Sequence, residues 1–142
     1  MNTRMMGIGL ALSMGLASQS GWAAEELDLK AIMVQLGQQM NQINDAIFAD
    51  DLDTVRHVAG AIADHPRPPA SERQQILAVL GEDGVRFRAA DHQVHEAAEA
   101  LGQAAAEGDR LRVLHFYHRV MQGCVACHTE FRPRLTQPVT AD

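Results

Sequence analysis

The chain has 142 residues, 46% of them hydrophobic and 21% charged, which admits a single globular domain and excludes a disordered tail or a membrane bundle. A formal charge of −6 has the wrong sign for neutralising phosphates and argues against nucleic acid as a partner. Two cysteines, both near the end, are too few for a disulfide scaffold or a four-thiolate zinc site, and 4% aromatic residues fill a core of this size thinly.

Residues 1–23 read as an export signal: one cation at Arg4, an apolar run from Met5 to Ala17, then small residues. The run is shorter than the roughly 20 residues that span a bilayer, so a cleaved leader is expected and no anchor remains after cleavage. Gly21 and Ala23 hold the −3 and −1 positions for cleavage after Ala23, whereas cleavage one residue later would put Trp22 at −3. The domain then runs over 24–142, and losing Arg4 takes the charge from −6 to −7. The destination implied is the periplasm, an oxidising compartment in which free thiols persist only when bonded to something.

The rest reads as helix. Leu29, Met33, Leu36, Met40, Ile43 and Ile47 recur at steps of four and three, which predicts a first helix over 26–49. Asp50 and Asp51 break that pattern and offer caps, and Leu52, Val55, Ala59 and Ile62 predict a second helix over 51–64. The prolines of 65–70 demand a loop. Ser71 with Gln74 has the form of a capping box, opening a third helix over 72–106 with Ile76, Leu80, Phe87, Val94, Leu101 and Ala105 on one side and an interruption around Gly81–Gly84. Gly108 and Asp109 close it and cap a fourth helix over 109–131, with Leu111, Leu114, Met121 and Val125 as its apolar face and a loose tail from Arg132 onward. No window alternates with a strand's period. Four amphipathic helices with two short turns and one longer loop predict an all-α, up-down-up-down four-helix bundle.

The chemistry sits in Cys124-Val-Ala-Cys127-His128, the C-x-x-C-H pattern of covalent c-type haem attachment. On a helix these are positions i, i+3 and i+4, so both thiols and the imidazole share a flank; the sulfurs bond the haem vinyl groups and His128 gives the iron an axial nitrogen. A redox C-x-x-C belongs at the start of a helix in an α/β pattern, and this pair lies near the end of a helix in an all-α chain. One enclosed macrocycle also accounts for the shortage of aromatic residues.

The chain resembles the class II c-type cytochromes, the cytochrome c′ and cytochrome c-556 family. The likeness rests on Gly123-Cys124-Val-Ala-Cys127-His128-Thr-Glu-Phe131-Arg132 in the last helix and Met33-Val-Gln-Leu-Gly37 in the first, on an exported four-helix pattern. It implies one covalent haem c and a basic residue packed near it, here Arg132. A basic residue that the family often carries on the first helix is Leu29 here, next to Lys30. The resemblance leaves two functions open, decided by the sixth position on the iron. A thioether from the first helix makes a six-coordinate, low-spin electron carrier that serves larger redox proteins and is not itself an enzyme. An empty position makes a five-coordinate protein that binds NO or another small gas. Met33 is the expected ligand, so the iron would be held by His128 and Met33; Met40, two turns later on the same face, is the second candidate. Homodimers pairing through the first two helices are a further implication.

The remaining histidines have weaker patterns. His92 and His95, with Asp91 and Glu96 beside them, are spaced to share a metal, although charged helix surfaces commonly carry such pairs in solution. His118 shares a face with Val125 and His128 and is expected to be partly buried. Asp91 interrupts the apolar stripe of the third helix, so either the helix turns there or the carboxylate takes a partner, for which an arginine of the fourth helix is the candidate. His57 and His65 show no pattern of their own.

Overall fold

The computed structural model describes residues 28–136; the leader with its cleavage site, and residues 137–142, lie outside the described residues. They form α1 (Leu29–Phe48), α2 (Leu52–Ala63), α3 (Ala70–Leu80), a 3-10 turn (Gly81–Asp83), α4 (Gly84–Ala106) and α5 (Arg110–Leu135). No strand occurs among them, and no described helix is long and apolar enough to cross a membrane.

Helix ends follow their caps. Asp28, Asp51 and Asp109 accept the backbone N–H groups of Ala31, Thr54 and Arg112 at 2.7, 3.0 and 3.0 Å, so three of the five starts carry a side-chain oxygen on otherwise orphaned donors. Gly108 takes the left-handed turn the α4–α5 connection needs, at φ +73°. The capping box at Ser71 does not form: α3 starts two residues earlier than predicted, at Ala70 behind Pro69, with no side-chain cap. Glu72 instead receives the N–H of Leu29 at 3.0 Å and ties α3 to the start of α1. The third predicted helix is indeed interrupted, at Gly81 with φ +57°. The tail is not loose from Arg132. α5 continues through Pro133 to Leu135 because Arg134 bonds Asp83 at 2.7 Å and the carbonyls of Val79 and Leu80, and Leu135 packs on Ile76 and Leu80.

Short connections make α1 and α2 antiparallel, and likewise α4 and α5. Contacts of His95 with Ala63 and of Gly102 with Arg56 run α2 antiparallel to α4, so the up-down-up-down arrangement holds. Extensive interfaces join α1 to α2, α2 to α4 and α4 to α5, whereas α1 and α5, which would close the ring, share none of comparable extent. The bundle therefore has one open seam. Two separate apolar clusters fill it: Ile43, Val55, Ala59, Ile62, Leu101, Val113 and Val120 with several alanines near the α1–α2 and α4–α5 turns, and Ile76, Leu80 and Phe131 at the other end.

The buried faces differ from expectation on two helices. On α1, Ile32, Ile43 and Ala46 are buried, and the predicted stripe of Leu29, Met33, Leu36, Met40 and Ile47 is half-buried because much of it borders the seam. On α5 the predicted face is outward: Leu111 is 81% exposed and Val125 62%, while Val113, Val120 and Phe131 turn inward. His118, on that outward face, is exposed rather than partly buried. Asp91 finds no arginine. It faces His65 and His95, and its carboxyl is held below the usual carboxylate value by His65 first, against the opposing effect of burial.

Candidate functional site

Both cysteines lie on α5, half-buried and not joined to each other. Cys124 packs against the larger apolar cluster and Cys127 against the smaller, so the pair straddles the place where the core is interrupted. Gly123 lets α5 come close enough to α4 for this, since a Cβ there would stand 2.7 Å from Cγ2 of Val94. Burial pushes the Cys127 thiol up to about 11, with the Asp91 charge adding to the effect, and raises that of Cys124 as well. At neutral pH both sulfurs are protonated and poor nucleophiles. His128 completes the motif on the exposed side of the helix, followed one turn later by exposed Arg132.

Beside Cys124 the seam opens into a groove of ≈ 400 Å³ lined by Met40, Asn41, Asn44, Tyr117, Met121, Cys124 and Val125. The Tyr117 hydroxyl donates to Asn44 at 3.4 Å, which fixes the antiparallel register of α1 on α5. Met40 then meets Met121, and Leu29 reaches the last turns around Phe131. The same stride sets Met33 level with His128, on the flank of α1 that also carries Met40 and Asn44. Met33 is half-buried there and Met40 lines the groove itself.

Of the motif, Cys124 alone lines this groove, while Cys127 packs on the smaller apolar cluster and His128 is exposed. Two protonated thiols lie one helical turn apart, the apolar core is divided at their level, and the adjoining wall of the bundle is open. No family model, curated protein or solved structure matches the chain.

A second set of polar groups assembles on the α4 side. His92 and His95, whose spacing could have shared a metal, do not come together: His92 stands on the surface facing Glu96 at 3.6 Å. His95 is joined instead by Asp91 and by His65 from the loop before α3. Asp91 and His95 are four apart on a helix and share a face, a relation visible in the sequence; the arrival of His65 from a proline-rich loop is not.

Proposed function

We propose that this chain is an exported, periplasmic monohaem cytochrome of class II type, an electron carrier between larger redox proteins rather than an enzyme. The observation that carries the reading is the C-x-x-C-H motif lying across the divided core beside an open seam. Haem c, when bound, supplies a single iron that exchanges one electron between its ferrous and ferric states.

The chain's own residues do the rest. Cys124 and Cys127 would hold the group through thioethers, each thiol adding across a vinyl double bond with sulfur to one carbon and hydrogen to the other, so that attachment would consume no oxidant. Buried, protonated thiols in a closed bundle react slowly, which favours attachment before α5 docks on α1 and α4. His128 offers an imidazole nitrogen from α5, and Met33, level with it on α1, offers a thioether from across the seam. Arg132 brings a cation to the same end for the haem carboxylates. Met40, Met121 and Val125 give the groove an apolar part beside the polar Asn41, Asn44 and Tyr117. The same lining would suit a small gas, so the five-coordinate, NO-binding alternative draws on this groove too.

Covalent attachment is directly measurable. Protein made with the haem-attachment machinery is expected to weigh one haem more than its processed polypeptide and to stay coloured after acid extraction into organic solvent. An intact chain of unmodified mass under those conditions overturns the reading.

A further inference from the structure

His65, Asp91 and His95 converge on one point on the α4 side, near enough to Cys127 for the Asp91 charge to act on its thiol, with one ligand atom from each lying within 4.8 Å of the others. Nε2 of His65 stands 3.6 Å from one Asp91 oxygen and Nε2 of His95 stands 3.5 Å from the other. Each imidazole turns its other nitrogen to a backbone carbonyl, His65 Nδ1 to Pro66 at 2.9 Å and His95 Nδ1 to Ala63. A carbonyl only accepts, so each Nδ1 carries the hydrogen, and in the neutral ring Nε2 is left with a lone pair aimed at the shared carboxylate. That outer hydrogen bond is what fixes the tautomer of metal-binding histidines.

The spacing supports a shared cation over a simple ion pair. At 3.5 and 3.6 Å the imidazole nitrogens are too far from Asp91 for good hydrogen bonds. Each nitrogen faces a different oxygen of Asp91, and with one ligand atom from each residue lying within 4.8 Å of the others, a small rotation of the carboxylate would bring one oxygen to both nitrogens at the edge of about 3.3–3.5 Å of a tetrahedral ion. The two ring centroids lie 4.6 Å apart, and because Asp91 raises the pKa of His65, a proton on that ring competes with an ion for the same place.

We propose that His65, Asp91 and His95 form a binding site for a divalent first-row transition ion, with Zn²⁺ the ion best suited to two imidazoles and one carboxylate and water completing the tetrahedron. The ion would tie the α2–α3 loop to α4. Because all three ligands are brought together only in the folded chain, binding stabilises the native state by mass action. The site does not depend on the haem reading.

The test adds Zn²⁺ alone to the chelator-stripped, purified protein, followed by calorimetry and thermal melting. Wild type is expected to take up one high-affinity equivalent and to melt at a higher temperature with zinc. His65→Ala and Asp91→Asn should each weaken that binding by at least about 10–100-fold, and His92→Ala should leave it unchanged. Asp91→Asn, nearly isosteric, carries the test if His65→Ala does not fold. The absence of a zinc equivalent in wild type overturns the proposal, as does binding that survives Asp91→Asn or is lost in His92→Ala. A melting temperature that falls in the variants but never responds to zinc also overturns it, leaving a purely structural clasp.

Discussion

Met33 and Met40 have the same chemistry and nearly the same direction on α1, and what separates them is their level along the seam. Met40 lies beside Met121 and Cys124, whereas Met33 lies level with His128. A thioether opposite an imidazole must come from the level of that imidazole, so in the proposed cytochrome Met33 would be the ligand and Met40 a packing residue. Met33→Ala is expected to turn the ferric spectrum from low-spin to high-spin and to lower the reduction potential, because thioether ligation raises it. Met40→Ala should leave the spectrum alone and cost about 1–2 kcal/mol, less than the about 2–5 kcal/mol of a fully buried truncation, since its side chain is only half-buried. A wild-type ferric protein that is already high-spin, or a Met33→Ala spectrum like wild type, would return Met33 to the core and favour the gas-binding alternative.

At the scale of elements, the placing of the cysteines depends on how closely α5 approaches α4. Gly123 is the point of contact, and Val94, stiff at χ1, has little freedom to move from a new Cβ 2.7 Å away. Gly123→Ala is therefore expected to destabilise by about 1–3 kcal/mol in urea unfolding, with part of the loss recovered in the double variant with Val94→Ala. Gly37, with nothing within 4 Å, is the control: Ala there should stabilise α1 by about 0.5–1 kcal/mol. A Gly123→Ala protein as stable as the control would remove this account of the α4–α5 approach. The helices themselves were legible in the sequence, because the aspartate caps and the proline loop punctuate it at the places where the chain turns. The inward face of α5 was not. Leu111, Leu114, Met121 and Val125 recur at helical spacing just as Val113, Val120, Cys124, Cys127 and Phe131 do, and periodicity alone cannot tell which of two apolar stripes faces a neighbour. Extension through Pro133 was hidden for a similar reason, since the contacts of Arg134 with Asp83 and the carbonyls of α3 are tertiary and leave no local mark.

Among the described residues of the whole molecule the excess of negative charge is unevenly placed. Asp45, Asp50, Asp51, Asp53, Glu107 and Asp109 gather around the α1–α2 and α4–α5 turns, where Arg56, Arg110 and Arg112 offset only part of them. At the opposite end Asp28, Glu72, Glu82, Asp83 and Glu130 are matched by Lys30, Arg73, Arg86, Arg88, Arg132 and Arg134. His128 belongs to this balanced end, about 27 Å along α5 from Arg110 at about 1.5 Å per residue. A charge that far away is felt when the screening length is about 30 Å, near 10 mM salt, and is screened out when it is about 10 Å, near 0.1 M. Oxidation of the reduced haem protein by a cationic metal complex should therefore slow with added salt up to about 0.1 M, by about tenfold or less, and then level off. An anionic complex such as ferricyanide should show the mirror image over the same range. A physiological partner with a cationic surface would follow the first pattern. A steep dependence that continues well above 0.1 M would mean that the electron leaves next to the acidic turns, and no dependence even at 10 mM would mean that the net charge plays no part in guiding a partner to His128.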